Sequence, residues 1–396
     1  VVDDRVPLAE GAAADILARE ADREALGQQA REGQMLGRRP VDAGSLLDRA
    51  APLLDHALEA RMHVEARRQV GHLQAELAQA LGRHGGLAAL ILDRRRAQAA
   101  PRQQFQGMAN VVHRLLEIIN PDELIALSSQ NELILIDVRT GADAKERYVA
   151  EHLAGALFVD LNNDLADIKP DAANGGRHPL PTVDQFSKLL QKLGITPNSH
   201  VVAYDDKNGA NAASRFWWML KAVGHQKVQV LNGGYDLAVK AGFPVSSGEE
   251  TAPKVDEYKI ENWQLPTADI EEVEKARQDE NFLVIDVREK DRFDGLREPL
   301  DLIAGHIPGA VNIPFAENLD EKGFYLSPEK LKEKYSAILD GKETQNVIVH
   351  CGSGVTACHT LLAFDYAGME IPQLYVGSWS EWSRNERPMA LKEENN

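Results

Sequence analysis

The sequence is poor in cysteine, in long apolar runs and in net positive charge. It has two cysteines among 396 residues, which excludes a disulfide framework and fits a reducing compartment. No apolar run approaches the length that spans a bilayer, and the N-terminus lacks the apolar core of a signal peptide. The formal net charge of −17 argues against nucleic acid or a membrane surface as a partner. These absences predict an intracellular, cytoplasmic protein.

Lysine is missing from the first 107 residues. This stretch carries 15 Arg and 15 Asp plus Glu, so its net charge is zero and the remaining residues carry the whole −17. Apolar residues recur at helical spacing between Ser45 and Gly82. The segment that begins at Met108 has the pattern of an independent unit. We therefore expect residues 1–107 to be an appended extension, helical or partly disordered and dispensable for the chemistry.

The rest of the chain is an internal repeat. The run Leu133-Ile-Leu-Ile-Asp-Val-Arg139 returns as Phe282-Leu-Val-Ile-Asp-Val-Arg288, and residues 151–156 return as 305–310. In each copy β-branched runs alternate with helical stretches, such as 183–193 and 328–339, as an open α/β sheet requires. The repeat predicts two α/β domains at 108–245 and 263–396, joined by a linker at 246–262. Each domain should be an open parallel sheet flanked by helices.

The second copy contains a strand, loop and helix pattern around a cysteine, at residues 347–358. A β-branched run predicts a buried strand that stops at Cys351, and the apolar residues after the loop predict a helix. Loop N–H groups and a helix N-terminus both stabilise negative charge, so we expect a reactive thiolate at Cys351. Gly352 and Gly354 allow the backbone to curl around an anion, and Thr356 adds a hydroxyl.

These residues also have interpretations without a reactive thiolate. Cys351 could instead be a structural thiol at a strand end, and we interpret Cys358 as a buried core thiol. His350 and His359 lie beside the cysteines, but the spacing of a metal site is absent, so no metal or other cofactor is predicted. A phosphatase loop would need an arginine where this chain has Ala357.

The first copy lacks the nucleophile. Where the second copy has Cys351, the first has Asp205, after the run Val202-Ala-Tyr204. A carboxylate cannot perform thiolate chemistry, so the first domain is expected to be catalytically silent and to form a wall of the cleft.

These motifs together resemble the tandem rhodanese family of sulfurtransferases, over about residues 110 to 391. The motifs are the paired Asp-Val-Arg, the Gly305-His-Ile-Pro-Gly-Ala310 segment, the loop Cys351-Gly-Ser-Gly-Val-Thr356 and the Tyr375-Val-Gly-Ser-Trp379 segment. The resemblance implies that Cys351 takes a sulfane sulfur from a small-molecule donor, becomes a persulfide and passes the sulfur on. The acceptors it implies are cyanide or a thiol such as thioredoxin.

The loop is most similar to that of the 3-mercaptopyruvate sulfurtransferases, because the residues after the cysteine are neutral. Substrate contacts are expected from the loop, at Gly352, Gly354, Val355 and Thr356. A keto acid also needs guanidinium groups, since Arg offers a planar fork of donors. Arg292 matches the first substrate arginine of that subfamily, and Arg297 is the candidate for the second.

The same resemblance implies a proton relay of a serine, a histidine and an aspartate. Ser353 and His178 match the first two members, but the expected aspartate position is Asn162, with Asp160 two residues earlier. Either could support His178, so both stay open, with Asp160 as the candidate acid. Two alternatives also stay open: thiosulfate as the working donor, and a non-catalytic sulfur carrier or scaffold.

Overall fold

The computed structural model of the chain describes residues 117–128 and 133–391. The predicted extension at residues 1–107 and the expected start at Met108 lie outside the described residues, as do residues 392–396. Within the described ranges, no helix is long and apolar enough to cross a membrane. The same ranges contain no group of three or more His, Cys, Asp or Glu side chains arranged to hold a metal ion.

The first domain is built on a five-stranded parallel sheet. Its elements, in chain order, are β1 (Ile118–Ile119), α1 (Pro121–Leu127), β2 (Leu133–Asp137), α2 (Ala144–Ala150), β3 (His152–Leu153), β4 (Leu157–Phe158), α3 (Val183–Lys192), β5 (His200–Tyr204), α4 (Ala212–Ala222), β6 (Val228–Leu231), α5 (Gly234–Lys240) and β7 (Val245–Ser246). The sheet order is β1-β6-β5-β2-β4, while β3 and β7 form a separate antiparallel pair.

The second domain repeats this sheet. Its elements are β8 (Thr267–Ala268), α6 (Ile270–Ala276), β9 (Leu283–Asp286), α7 (Lys290–Phe293), β10 (Val311–Asn312), α8 (Pro328–Leu339), β11 (Val347–His350), α9 (Thr356–Tyr366), β12 (Gln373–Tyr375) and α10 (Ser378–Trp382), with 3₁₀ turns at Phe315–Asn318 and Thr344–Asn346. The order β8-β12-β11-β9-β10 matches that of the first sheet strand for strand, and every pair is parallel. The predicted fold class is therefore confirmed for the described residues.

The segment between the two sheets is irregular but packed. The predicted linker at 246–262 overlaps residues 247–266, which contain neither helix nor strand. Within it Tyr258 is buried, its hydroxyl lies 3.1 Å from Nδ1 of His225, and its carbonyl accepts a hydrogen bond from Ser187. These contacts hold this part of the segment against the first domain.

Helices α4 and α9 pack against each other and join the two domains. Both are buried on nearly every side, as their largely apolar sequences require. One continuous cluster of buried apolar side chains runs through both domains and includes Trp217 of α4 and Phe364 of α9. Because each helix follows the loop after a central strand, this packing brings the β5 and β11 loops towards one interface.

An Asp–Arg ion pair lies at the end of each of the equivalent strands β2 and β9. Nη2 of Arg139 lies 2.9 Å from Asp137, and Nη2 of Arg288 lies 2.6 Å from Asp286, with all four side chains buried. Arg288 also donates to the carbonyl of Gly305 at 2.6 Å. Arg288 is therefore part of a structural ion pair at the end of β9.

Candidate active site

Cys351 directly follows β11 and begins the loop that leads into α9. The residue is 1% exposed. Its N–H donates to Oγ of Ser378 at 3.1 Å, and its carbonyl accepts from the N–H of Trp379 at 3.0 Å. The carbonyl of Gly352 accepts from the N–H of Ser380 at 2.9 Å. The loop therefore packs on α10, and residues 352–355 separate Cys351 from the first helical residue, Thr356.

Gly354 fixes the shape of this loop. Its φ is +71°, and a Cβ at this position would lie 2.5 Å from the carbonyl oxygen of Val376. Only glycine accepts both conditions. The carbonyl of Gly354 accepts hydrogen bonds from Nη1 of Arg215 at 3.0 Å and from Sγ of Cys358 at 3.4 Å. The neighbouring Val355, also predicted as a substrate contact, is buried against the core.

The equivalent loop of the first domain shows what such a loop can hold. The carboxyl of Asp205 accepts four backbone N–H groups at 2.8 to 3.2 Å, from Lys207, Gly209, Asn211 and Ala213. Burial raises the pKa of Asp205, and these four hydrogen bonds oppose the rise. A loop of this type therefore directs its N–H groups at one acidic side chain. With a carboxyl in place of a thiol, the first domain cannot carry sulfur.

Ser353 and His178 meet across the domain interface. Oγ of Ser353 lies 2.8 Å from Nδ1 of His178, and Nε2 of the same ring lies 3.0 Å from Oδ1 of Asn162. An amide oxygen only accepts, so Nε2 carries the proton and Nδ1 accepts from the serine hydroxyl. Burial, followed by the charges of Arg177 and Arg215, lowers the pKa of His178 to about 3. The imidazole is therefore neutral at physiological pH.

Asp160 has a different place from the one expected. Its Oδ1 accepts the N–H groups of Asn162 and Asn163, both at 2.8 Å. It thus shapes the turn that presents Asn162, and Asn162 is the partner of His178. The expectation of Asp160 as the supporting acid is corrected by this geometry, because the turn N–H groups engage its carboxylate.

Arg292 lies beside the loop, with most of its donors already engaged. It is 6% exposed. Its Nε and Nη2 contact Glu298 at 3.0 and 2.8 Å, and Nη2 also contacts Asp301 at 3.2 Å. Nη1 lies 3.4 Å from Glu289. The guanidinium is therefore held by carboxylates of its own domain.

The second arginine at the loop comes from the other domain. A Cβ at Gly352 would lie 3.1 Å from Nη2 of Arg177 and 3.2 Å from Nη2 of Arg292. Arg297, the candidate from the sequence, is exposed, and its backbone N–H bonds to the carbonyl of Asp291. Arg177, rather than the expected Arg297, therefore provides the second guanidinium group beside Gly352. The available signal was its position directly before His178.

A buried arginine of α4 connects the parts of the site. Arg215 donates from Nη1 to the carbonyl of Gly354 and from Nη2 to the carbonyl of His178 at 3.2 Å. It thus links the nucleophile loop to the histidine segment. Sequence reasoning missed this residue, although an arginine inside an otherwise apolar helix was the signal. Cys358, by contrast, is a buried core thiol as predicted, and burial raises its pKa to about 12.

Known proteins resemble this chain over both domains. The family description "Rhodanese-like domain" matches residues 120–241 and 269–385. The probable 3-mercaptopyruvate sulfurtransferase of Pseudomonas aeruginosa is 37% identical over 281 residues, which cover 69% of this chain and 98% of that relative. The thiosulfate sulfurtransferase of Rattus norvegicus is 36% identical over 252 residues, covering 62% and 82%. Among solved structures, 3-mercaptopyruvate sulfurtransferase from Leishmania major gives a TM-score of 0.59 at 28% identity, covering 67% of this chain and 74% of that one.

Proposed function

The chain belongs to the rhodanese family and is a sulfurtransferase, and from this premise we propose that it transfers sulfur from 3-mercaptopyruvate through a persulfide on Cys351. The acceptor is a small or protein thiol, such as thioredoxin, or cyanide. One observation carries the proposal: the loop begun by Cys351 places the Ser353 hydroxyl against the neutral imidazole of His178, with two guanidinium groups beside Gly352.

In the first half-reaction the Cys351 thiolate attacks the sulfur of 3-mercaptopyruvate. The new S–S bond forms as the carbon–sulfur bond breaks, and the bonding pair leaves on the carbon as the enolate of pyruvate. The proton of the donor thiol passes to that carbon, so the products are pyruvate and the Cys351 persulfide anion. Atoms and charge balance without an external oxidant or reductant. Loop N–H groups and the N-terminus of α9 stabilise the persulfide charge.

Ser353 and His178 orient this proton transfer. The serine hydroxyl donates to Nδ1 of His178, so its oxygen has a lone pair that accepts a hydrogen bond from the donor thiol and orients the thiol proton. A full imidazolium would be costly, because the pKa of His178 is about 3 and Asn162 brings no negative charge. The proton therefore passes from the donor thiol to the enolate carbon beside the Ser353 oxygen, while the Ser353 hydroxyl stays hydrogen-bonded to Nδ1 and no proton moves to His178.

The second half-reaction returns the cysteine to its starting state. A thiolate acceptor attacks the outer sulfur of the persulfide, the S–S bond breaks, and Cys351 leaves as a thiolate while the acceptor becomes a persulfide. Cyanide reacts in the same way and leaves as thiocyanate. Both donor and acceptor must reach the one buried sulfur, so the two half-reactions alternate at one site.

Thiosulfate as donor is a second candidate with an observation in its favour. The residues after Cys351 are neutral, which led the sequence argument towards 3-mercaptopyruvate. Yet Arg177 and Arg292 bring two guanidinium groups to Gly352, and cations suit a compact dianion. The rat relative named thiosulfate sulfurtransferase is also 36% identical.

The deciding experiment compares kcat/KM for 3-mercaptopyruvate and for thiosulfate, each with a thiol acceptor and with cyanide. A higher value for 3-mercaptopyruvate with both acceptors supports the proposal. A higher value for thiosulfate would keep the Cys351 chemistry and replace the donor. No turnover with either donor would favour a carrier or scaffold.

The nucleophile is tested with a matched pair of cysteine variants. We expect Cys351→Ser to abolish turnover with every donor, because a hydroxyl does not form a stable persulfide. Cys358→Ser keeps a donor for the Gly354 carbonyl and should retain turnover within about threefold, since a buried thiol with a raised pKa is unreactive. Intact-mass spectrometry after donor treatment should show one added sulfur atom in Cys358→Ser and none in Cys351→Ser. The reverse pattern would refute the assignment.

A further inference from the structure

Asp301 is a buried acid surrounded by three arginines. Its side chain has no solvent exposure. Oδ1 lies 2.9 Å from Nε of Arg177 and 3.4 Å from Nη1 of Arg384, while Oδ2 lies 3.2 Å from Nη2 of Arg292. Hydrogen bonds between guanidinium and carboxylate are among the stronger ones in proteins, especially where water is excluded. The carboxylate is therefore the shared counter-ion of these guanidinium groups.

This carboxylate lies at the nucleophile loop. A Cβ at Gly352, the residue after Cys351, would lie 3.3 Å from Oδ2 of Asp301, beside the guanidinium groups of Arg177 and Arg292. A donor with an anionic end needs these same two groups if it binds next to the sulfur. An internal carboxylate thus already occupies the anion position that the site offers.

The segment that carries Asp301 is held more by polar contacts than by apolar packing. Residues 294–305 contain neither helix nor strand. Three leucines of the segment are 59 to 74% exposed: Leu296, Leu300 and Leu302. The N–H of Asp301 donates to Glu298, and Trp379 donates to the carbonyl of Ile303. Moving the Asp301 part of the segment would therefore expose little additional apolar surface.

We propose that Asp301 determines donor specificity by competing with the anionic end of the donor for Arg177 and Arg292. The inference rests on the proposed function, because it concerns how the donor binds at the same site. An anionic donor binds by displacing the Asp301 carboxylate, so its affinity is reduced by the strength of the internal contacts. An uncharged sulfane donor does not need the arginines and escapes the competition.

The test replaces Asp301 with Asn, which keeps the shape and removes the charge. With 3-mercaptopyruvate we expect KM to fall by about tenfold, the effect of one lost charged hydrogen bond, with a smaller change in kcat. With dimethyl trisulfide, an uncharged donor, kcat/KM should stay within about twofold. Asp291→Asn is the matched control, since it removes one charge from an exposed residue of the same region and should leave both donors unchanged.

Several outcomes would overturn the inference. An unchanged or raised KM for 3-mercaptopyruvate in Asp301→Asn would show that the carboxylate positions the arginines. Equal losses of kcat/KM with both donors in Asp301→Asn would also show that the carboxylate positions the arginines. Should the Asn variant not fold, Asp301→Glu keeps the charge and must keep the wild-type KM within about threefold; a KM lowered about tenfold in this variant would contradict competition for charge.

A binding measurement separates this inference from the proposed function. Pyruvate, the product anion, is titrated calorimetrically into Cys351→Ser and into the double variant that also carries Asp301→Asn. Tighter binding by about tenfold in the double variant supports competition even if the chain turns over neither donor, whereas equal binding opposes it. Absence of turnover in the wild type would count against the proposed function alone.

Discussion

At the level of the single residue, the imidazole of His178 is held in its uncharged state. Burial and the two nearby arginines lower its pKa to about 3, and its partner Asn162 carries no charge to stabilise an imidazolium. The ring therefore acts as a fixed hydrogen-bond acceptor for Ser353 throughout the physiological range. This contrasts with a histidine held by a carboxylate, which accepts a full proton readily.

The pH dependence of turnover follows from that state. We expect kcat/KM for 3-mercaptopyruvate to show no limb from His178 between about pH 5 and pH 8, because the folded ring titrates near pH 3. His178→Gln should lower kcat by about tenfold through the lost orientation of Ser353, and should leave the shape of the profile unchanged. A wild-type limb near pH 6.5 that disappears in the variant would show that His178 does ionise during turnover.

The sequence located residues that belong to a local motif and missed those that depend on docking. Cys351, Ser353 and His178 were found because short motifs surround them. Arg177 was missed because only the packing of the two domains brings it to Gly352. Asp160 and Asn162 stayed unresolved because they are two residues apart in one turn, and the bonding of the turn N–H groups decides which side chain is left for the histidine.

At the level of the element, the nucleophile loop is a strand-to-helix connection held by hydrogen bonds to α10. Its sequence predicted this connection correctly, since the β-branched run and the apolar stretch after it have different periodicities. Helices α3 and α8 were also predicted within one residue. In both, a hydroxyl residue caps the first turn, Thr182 for α3 and Ser327 for α8. The short strands β3 and β7 have no comparable signal, because their pairing is long-range.

Gly354→Ala should disrupt this loop. The new Cβ would lie 2.5 Å from the carbonyl of Val376, and an L-residue at φ +71° is strained in addition. We expect a loss of about 2 to 4 kcal/mol in the free energy of unfolding, measured with urea, and a fall in kcat/KM of at least about 100-fold.

The matched control is Gly341→Ala, at φ +81° with no atom within 4 Å of the new Cβ. We expect this variant to lose only about 1 kcal/mol in the free energy of unfolding, which is the cost of the left-handed backbone conformation, and to keep the wild-type kcat/KM. Equal effects of the two variants on activity would mean that the close approach at Gly354 does not control the site.

At the level of the whole molecule, the repeat explains why the site lies between domains. Two copies of one sheet place equivalent loops at the N-termini of α4 and α9, and these helices pack together. The first copy uses its loop to hold Asp205, while its Arg215 and His178 support the loop of the second. The sequence predicted the two copies from their repeated motifs. It could not predict their docking, which depends on side chains that are distant in sequence.

Several buried histidines also influence the stability of the whole molecule. Burial lowers the pKa of His359 to about 3, and burial likewise lowers the pKa values of His350 and His225. In the unfolded chain each would titrate near its ordinary value of about 6.5. Below that pH the unfolded chain binds protons that the folded chain excludes, so the free energy of unfolding falls as the pH falls.

We therefore expect the protein to lose stability between pH 7 and pH 5, and His359→Gln to reduce that loss. A histidine with a folded pKa of about 3 contributes about 2 kcal/mol to the loss over this interval, and glutamine cannot ionise. Urea unfolding at both pH values measures the difference for the wild type and the variant. His306→Gln, at a partly exposed position, is the control for the loss of a ring. His359→Gln loses the packing of the ring against Tyr325 and is therefore less stable at pH 7, but its loss of stability on acidification must be smaller than that of the wild type. An equal loss in wild type and His359→Gln would show that His359 is protonated in the folded protein.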